Sequence, residues 1–254
     1  MTIKEKATVV AVDKLAEGIY SLLLATKIVD YATCGQFVNV FSKDGSNLLP
    51  RPISICEINK TYGCIRLVFR VVGKGTAEFS NLKMGDQIEV MGPLGNGFPL
   101  EGKRAIVVGG GIGVPPMLEL TKQLNGDVIA VMGYRNDDLF LADEFIDAAS
   151  ELIVATDDGS VGIHGNVVDA MKSCDLTGDV IYACGPKPML KGVAEYAAEK
   201  GIKCYVSMEE RMACGVGACL GCVCQSTDVD DHSHVNNKRV CKDGPVFLST
   251  EVCL

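Results

Sequence analysis

The chain has 254 residues, of which 48% are hydrophobic and 22% are charged, and its formal net charge is −8 at pH 7. This length allows one large domain or two medium ones with a real apolar core. The negative charge argues against nucleic acid as a partner, because phosphate binding requires a basic surface. No basic segment precedes an apolar run at the N-terminus, and no apolar run is long enough to span a bilayer. We therefore expect a cytoplasmic protein without a membrane partner.

Residues 1–99 alternate short strand-like runs with turns. The runs extend from ATVVAV to DQIEVMG and are separated by Gly, Asp and Asn. Evenly spaced short strands predict a β-barrel or a β-sandwich. The Gly- and Pro-rich stretch at residues 91–104, MGPLGNGFPLEGKR, then predicts a linker.

Strand-like and helix-like segments alternate from residue 100 to residue 206. RAIVVGG and DVIAVMGY have strand character, whereas VPPMLELTKQL and KPMLKGVAEYAAEKG carry apolar residues at helical spacing. This alternation predicts a parallel sheet covered by helices, which binds ligands at the carboxyl ends of its strands. Residues 207–254 fit neither pattern and contain a cysteine cluster. We therefore predict three parts, with bounds 1–99, 100–206 and 207–254.

A glycine-rich turn, GGGIGVPPM, follows the first strand of the second part. Such a turn lets the backbone approach a pyrophosphate, and the following helix N-terminus favours the negative charge. The turn departs from the dinucleotide fingerprint, because Val114 occupies the position of the last glycine and no acid follows about twenty residues later. A plain tight turn, in which Pro115 and Pro116 open the helix, is an equal alternative.

A second turn, CGPKP, ends the fourth strand of this part. Gly185 and Pro186 form a turn at the sheet edge where a nicotinamide could lie, and Cys184 would point into that space. The alternative for Cys184 is a buried free thiol, which is the commonest role of an isolated cysteine.

The barrel part carries two features that suit another phosphate group. Arg51 directly precedes a proline in LLPRPISICEI, and Ser54, on the opposite face from Ile53, could hydrogen-bond a flavin ring edge. Farther on, VFRVVGKGTAEFS contains Arg70 and then Thr76, a candidate N-cap for a helix. Either half alone is better explained as a β-hairpin with surface arginines. Together, a fixed cation and a helix N-terminus suit a pyrophosphate.

The order of these motifs resembles the ferredoxin–NADP reductase superfamily, whose members pair a flavin-binding β-barrel with a nicotinamide-binding α/β domain. The resemblance covers roughly residues 1–206 and implies this fold here. It implies that FAD contacts Arg51, Pro52, Ile53, Ser54, Val68, Phe69, Arg70, Gly75 and Thr76. It implies that NAD contacts Gly110, Gly111, Gly113, Cys184, Gly185 and Pro186.

Two acids bear on the choice of nucleotide. Asp157 and Asp158 follow the third strand of the α/β part. The 2′-phosphate of NADP would require cations at that place, and the acids would repel it. The sequence therefore favours NAD over NADP.

The C-terminal part contains the segment MACGVGACLGCVCQ. Cys214, Cys219 and Cys222 have the spacing C-x4-C-x2-C, and Cys241 follows, which is the plant-type [2Fe–2S] pattern. Small residues between them allow backbone N–H groups to turn toward the sulfurs and tune the potential. Cys224 would face the same way as Cys222 in a following strand, and we interpret it as a packing thiol.

Zinc is the alternative metal for this segment. Four thiolates bind Zn²⁺ as well as iron, although structural zinc sites usually use two C-x2-C-like pairs. His232 and His234 leave a mixed zinc site open, but they lie in an acidic stretch that we expect to be a solvated hairpin tip. A flavin upstream favours iron–sulfur, because the flavin converts a two-electron hydride into single steps that the cluster accepts.

The cysteine segment and RVCKDGPVF resemble the electron-transfer subunits of NAD-dependent (type B) dihydroorotate dehydrogenases over essentially the full chain. The stretch between Cys222 and Cys241 is longer than we expect for that family. The resemblance implies FAD, a [2Fe–2S] cluster and NAD as cofactors. It also implies an FMN-containing catalytic partner in a heterotetramer of two plus two, which passes electrons from dihydroorotate to NAD⁺ in pyrimidine biosynthesis.

Two other functions stay open from the sequence. The same module serves as the NAD(P)H-linked flavin and iron–sulfur subunit of ferredoxin-dependent or sulfur-reducing complexes. A redox-sensing or zinc-stabilised binding protein without turnover is the other. Flavin and iron–sulfur absorbance bands distinguish the enzymes from the zinc protein.

Overall fold

The computed structural model describes residues 1–43, 45, 47–229 and 234–254. Within these ranges the chain forms a closed β-barrel, a mostly parallel sheet covered by helices, and a two-stranded hairpin near the C-terminus. The predicted fold class is confirmed. No helix of the described residues is long and apolar enough to cross a membrane.

The barrel closes in the strand order β1-β2-β5-β4-β3-β6, and all its pairings are antiparallel. Alternate residues point inward, so that Val38, Val40 and Ile53 join the apolar interior. A short helix, α1, connects the fifth and sixth strands. The elements are β1 (Ile3–Ala16), β2 (Ile19–Ala25), β3 (Phe37–Val40), β4 (Arg51–Asn59), β5 (Cys64–Arg70), α1 (Lys74–Ser80) and β6 (Gln87–Leu94).

Helix α1 corrects one sequence prediction. It begins at Lys74 with Gly73 as its N-cap, so Thr76 is the third helical residue and not the cap. The Thr76 hydroxyl nevertheless satisfies backbone donors at this end, because it accepts hydrogen bonds from the N–H groups of Val72 and Gly73. The prediction was wrong about the position because a threonine can satisfy these donors from inside the first turn as well as from the cap.

The α/β part contains a sheet in the order β10-β9-β8-β7-β11-β12-β15. Strands β7 to β12 are parallel, whereas β15 runs antiparallel to β12. Helix α2 begins with Pro115 and Pro116, as predicted. The elements are β7 (Arg104–Gly110), α2 (Pro115–Gln123), β8 (Asp127–Tyr134), α3 (Ala142–Ala148), β9 (Glu151–Thr156), β10 (Ile163–His164), α4 (Val167–Ser173), β11 (Val180–Cys184), α5 (Lys187–Lys200) and β12 (Lys203–Ser207).

The strand order reverses between β7 and β11. From β7 the chain proceeds to β8, β9 and β10 on one side, and then returns to add β11 and β12 on the other. In open α/β sheets such a switch point leaves a crevice beyond the carboxyl ends of the two central strands, where ligands bind. The topology alone therefore favours a site beyond Gly110 and Cys184.

The C-terminal part is tied to the sheet. Strands β13 (Val223–Gln225) and β14 (Asn237–Arg239) form an antiparallel hairpin. Strand β15 (Val246–Leu248) then pairs along the free edge of β12. The cysteine loop thus lies in the chain between β12, which belongs to the sheet, and β15, which pairs with β12.

Candidate cofactor sites

The candidate flavin strand and the candidate pyrophosphate turn lie against each other. Arg51, at the start of β4, crosses the N-terminal turn of α1, and a Cβ placed on Gly75 would lie 3.0 Å from the arginine Nε. The guanidinium is held further by a hydrogen bond of 2.7 Å from its Nη1 to the Leu49 carbonyl. A cation thus lies directly against this turn, and a side chain at Gly75 would push the guanidinium away. These residues fit the pyrophosphate of FAD.

A gap opens beside this cation. Among the described residues, the ladder between β4 and β5 ends at the pair Ile55–Leu67, although β4 begins at Arg51 and β5 continues to Arg70. The ends of the two strands therefore present backbone N–H and C=O groups that do not pair with each other. The polar edge of a flat ring such as a flavin can form hydrogen bonds with these groups.

The predicted flavin contacts differ in what they can offer. The Arg51, Pro52, Ser54 and Arg70 side chains are partly exposed. The Ile53, Val68 and Phe69 side chains are buried in apolar clusters, so these residues could contact a cofactor only through their backbones.

The two candidate nicotinamide turns meet at the switch point of the sheet. Cys184 pairs with Gly109 across β11 and β7. A Cβ on Gly113 would lie 2.3 Å from the Cys184 carbonyl oxygen, and one on Gly110 would lie 2.3 Å from the Met189 sulfur. Gly113 is therefore required for the two turns to approach each other, because the atom it meets belongs to the backbone, whereas the Met189 side chain beside Gly110 can move. Gly111, with a φ of +54°, adds a backbone conformation that side chains disfavour.

The thiol of Cys184 is not set up as a nucleophile. Burial raises its pKa to about 12, and a hydrogen bond with Ser207 opposes this only in part. The group is neutral at pH 7, so it adds no charge beside the nicotinamide that its predicted position would border.

The cysteine loop directs backbone donors at the sulfurs of all four predicted ligands. The Cys214 sulfur receives two of these N–H groups, and each of the other three sulfurs receives one. Gly215 and Gly217 have φ values of +71° and +83°, which turn these N–H groups inward. The donor–sulfur distances are Val216 to Cys214 3.4 Å, Ala218 to Cys214 3.3 Å, Gly217 to Cys241 3.1 Å, Gly221 to Cys219 3.4 Å and Cys241 to Cys222 3.4 Å.

The thiols are arranged as two neighbouring pairs. Cys214 interacts with Cys219, and Cys241 interacts with Cys222 and more weakly with Cys214. Burial alone would raise the pKa of Cys214, but hydrogen bonds from Val216, Cys219 and Ala218 together lower it to about 6. In the described residues, no three His, Cys, Asp or Glu side chains are placed to hold a metal ion. Two sulfur pairs, each receiving N–H donors, fit a two-iron cluster better than one tetrahedral zinc.

The four sulfurs differ in exposure. Cys222 and Cys241 are each 2% exposed, whereas Cys219 is exposed and Cys214 is intermediate. The candidate cluster therefore has an inner edge toward the protein and an outer edge toward solvent. Cys224 is buried in β13, on the same side as Cys222, and packs in the apolar core.

Of the two histidines of the zinc alternative, the structure describes only His234. His232 lies outside the described residues, and so do Asp230 and Asp231 of the same acidic stretch. His234 is exposed and has a φ of 55°.

Asn39 was not predicted as a site residue from the sequence. It lies in β3, is 0% exposed, and its Nδ2 donates a hydrogen bond of 3.3 Å to the carbonyl of Cys214. The only signal was an amide within an otherwise apolar run, QFVNVF. Its partner is far away in the chain, so the pattern could not show what the amide contacts.

Comparison with known proteins decides the family. The family model for the iron–sulfur cluster binding domain of dihydroorotate dehydrogenase B matches residues 209–253, and that for the oxidoreductase FAD-binding domain matches residues 10–98. The dihydroorotate dehydrogenase B (NAD(+)) electron transfer subunit of Bacillus caldolyticus is 45% identical and covers 99% of both chains. That of Streptococcus mutans is 42% identical and covers 100% of both. The chain belongs to this family of electron transfer subunits.

Solved structures agree with the fold of this family. The structure of an NADH-dependent reduced ferredoxin–NADP oxidoreductase matches with a TM-score of 0.87 and 32% identity, covering 97% of this chain and 89% of the other. A ferredoxin–NADP⁺ reductase from Neisseria gonorrhoeae with bound FAD and NADP shares the fold at a TM-score of 0.67 and 16% identity, covering 82% and 94%. The predicted resemblance, oxidoreductase class, flavin domain and iron–sulfur segment are confirmed.

The electron transfer subunit should lose FAD when Arg51 is replaced by alanine. A charge-assisted hydrogen bond to the pyrophosphate contributes about 1.5–3 kcal/mol, so Arg51→Ala should weaken FAD binding by about ten- to hundredfold. Fluorescence of released flavin on dilution measures this, and the cluster absorbance should persist. Arg104→Ala, which removes an arginine from the start of β7, is the matched control. Full flavin retention by Arg51→Ala at sub-micromolar protein would refute the assignment.

The ligand set can be tested by counting iron. Alanine at Cys214, Cys219, Cys222 or Cys241 leaves an iron with an open position, so each variant should lose the cluster or fail to assemble it. Cys224→Ala should keep two irons per chain, because this thiol only packs. Iron and acid-labile sulfide assays on the five single variants decide the matter. Loss of iron in Cys224→Ala together with its retention in Cys222→Ala would show that the assigned ligand register is wrong.

Proposed function

We propose that this chain is the electron-transfer subunit of an NAD-dependent (type B) dihydroorotate dehydrogenase in pyrimidine biosynthesis. An FMN-containing catalytic subunit oxidises dihydroorotate to orotate, and the two subunits form a heterotetramer of two plus two. The electrons travel through the [2Fe–2S] cluster and FAD of this chain to NAD⁺. In this proposal residues 1–99 bind FAD, residues 100–206 bind NAD and residues 207–254 bind the [2Fe–2S] cluster. The cytoplasm, where thiols stay reduced, is the location we propose.

One observation carries this proposal: the cysteine loop lies between the protein surface and the flavin strand. Cys219 is exposed at the outer edge, and Leu220 beside it is 61% exposed. On the other edge, the Cys214 carbonyl accepts the hydrogen bond from Asn39, which pairs with Pro52 of β4. Electrons from a partner that docks at this surface would therefore pass through the loop toward the flavin strand.

The residues of the chain bind and orient the cofactors. Arg51 neutralises the FAD pyrophosphate, and the open ends of β4 and β5 receive the flavin ring. The glycine turns at the switch point receive the nicotinamide nucleotide, and the neutral Cys184 thiol borders it. When bound, the cluster carries single electrons and FAD couples them to two-electron chemistry. No residue of this chain needs to donate or accept a proton from dihydroorotate, because that chemistry belongs to the partner.

Charged groups near the ends of β8 and β9 support NAD as the nucleotide. Asp157 and Asp158 are exposed, and their N–H groups bond to the carbonyls of Tyr134 and Arg135. Asp158 accepts hydrogen bonds from the hydroxyl and the N–H of Ser160, and these lower its pKa. Arg135, whose carbonyl accepts the Asp158 N–H, is also exposed and adds a cation to this segment. The two carboxylates would repel a 2′-phosphate.

A second candidate function is the nicotinamide-linked subunit of a ferredoxin-dependent oxidoreductase. The likeness to the NADH-dependent reduced ferredoxin–NADP oxidoreductase favours it. That likeness covers nearly the whole chain, including the C-terminal part, so fold and cofactors do not separate the two candidates. They differ in the electron donor that docks at the cluster.

Reconstitution distinguishes the candidates. The FAD- and cluster-loaded chain should form a complex with a purified FMN-containing type B catalytic subunit, two copies of each by light scattering. The complex should reduce NAD⁺ when given dihydroorotate. The Cys219→Ala variant is the internal control: without a cluster it should keep NADH-dependent dye reduction but lose the dihydroorotate-dependent reaction. Reduction of NAD⁺ by reduced ferredoxin, with none from dihydroorotate, would overturn the first candidate in favour of the second.

The nucleotide preference can be measured by stopped-flow reduction of the flavin. NADH should reduce FAD faster than NADPH, and Asp157→Ser or Asp158→Ser should narrow the gap, each by about fivefold, since one such surface interaction is worth about 1 kcal/mol. Asp147→Ser removes the same charge from an exposed position on α3 and should change nothing. Equal rates with the two nucleotides in the unmodified protein would contradict this prediction.

A further inference from the structure

Asn39 combines complete burial with incomplete hydrogen bonding. Its Nδ2 donates to the Cys214 carbonyl, but its Oδ1 is the one buried side-chain nitrogen or oxygen among the described residues that has no hydrogen-bond partner. A buried amide oxygen left without a donor costs stability. An apolar side chain of similar shape would avoid that cost, so the packing of this strand does not by itself require an amide.

The position of Asn39 joins the flavin strand to the cysteine loop. In β3 it pairs with Pro52 of β4 on one side and with Met91 of β6 on the other. Directly opposed residues of antiparallel strands point to the same face, so the Asn39 side chain shares its face with Pro52. The neighbouring Val38 and Val40 point into the barrel instead.

The cysteine loop lies directly on this amide. A Cβ placed on Gly215 would lie 2.4 Å from the Asn39 Nδ2 and 3.1 Å from its Cγ. Gly215 directly follows Cys214 and has a φ of +71°. No side chain therefore separates the amide from the backbone of the first predicted iron ligand. A displacement of β3 would be transmitted to Cys214 through one hydrogen bond and one close contact.

We propose that Asn39 is a positioning residue that couples FAD binding to cluster retention. FAD orders the Arg51–Ser54 stretch of β4, the ladder with β3 fixes Asn39, and its Nδ2 fixes the backbone of Cys214. Coupling of binding free energies is reciprocal, so a bound FAD strengthens retention of the cluster and a bound cluster strengthens binding of FAD. Because the coupling acts by holding Cys214 in place, a bound FAD also slows loss of the cluster. This inference rests on the flavin and ligand assignments proposed above. The iron counts of the cysteine variants test those assignments separately.

The test compares cluster loss with and without FAD. Iron is removed by an excess of a ferrous chelator, and the decay of cluster absorbance is followed in the FAD-bound and the FAD-stripped protein. In the unmodified protein the stripped form should lose iron about fivefold faster or more. In Asn39→Leu and in Asn39→Ala, this ratio should fall to about one, with FAD still bound at the start. A purely structural role would speed both decays together and leave the ratio unchanged.

A matched control is available on the other side of the loop. The Nδ2 of Asn96 donates to the carbonyls of Lys242 and Asp243, next to the ligand Cys241, but Asn96 is exposed and lies outside the flavin strand. Asn96→Ala should keep the FAD-dependent ratio of the unmodified protein. The inference is overturned if the unmodified protein shows no dependence on FAD. It is equally overturned if the ratio persists in both Asn39 variants.

Discussion

One apolar core joins the three parts of this molecule, and the arrangement of the cofactor sites depends on it. The core extends from Phe37 and Leu94 of the barrel, across the face of the sheet that α4 and α5 cover, to Phe247 of the C-terminal part. Cys222 and Cys241 belong to it. Since protein interiors are densely packed, the parts cannot shift against each other without opening cavities. The inner sulfurs are thereby held in the same packing as the flavin barrel.

Because the cysteines differ in burial, the candidate cluster has a buried side and an exposed side. The inner pair lies in the apolar core, where burial raises the pKa of Cys241 to about 12 and the N–H of Gly217 opposes this only in part. The outer edge, at Cys219, meets solvent, and a docking partner can reach it. Cys214 is intermediate and connects through its carbonyl to the barrel. The loop that binds the metal is therefore also the contact between the outside and the flavin strand.

The sequence predicted well what depends on local spacing. Period-two runs gave the barrel strands, alternation gave the parallel sheet, and C-x4-C-x2-C gave a loop whose N–H groups point at the sulfurs. The sequence was less informative about Thr76, because a threonine can satisfy the backbone N–H groups at a helix N-terminus either from the cap or from inside the first turn. Contacts between distant segments could not be predicted. The pairing of β15 with β12 and the hydrogen bond from Asn39 to Cys214 depend on three-dimensional proximity, which no periodicity records.

The barrel and the α/β part also meet through charges, on the side of α2 and α3. Arg66 of β5 bonds to Glu57 at 2.6 Å and to Glu144 of α3 at 3.3 Å, and Lys122 of α2 also pairs with Glu57. Burial would raise the pKa of Glu57, but the hydrogen bonds from Arg66 and Lys122 lower it, so the carboxylate stays charged at neutral pH. Glu119 adds a 2.7 Å contact with the Ile58 N–H.

Charges also lie on the cluster side, within the C-terminal part. Arg239 pairs with Asp243 at 3.0 Å, and its Nη1 donates a hydrogen bond to the Gly217 carbonyl in the cysteine loop. Ion pairs that keep some solvent access lose little to desolvation and fix orientation through their geometry. Between the barrel and the cysteine loop, the buried amide of Asn39 provides such directionality without adding a charge, because its Nδ2 donates to the backbone carbonyl of Cys214.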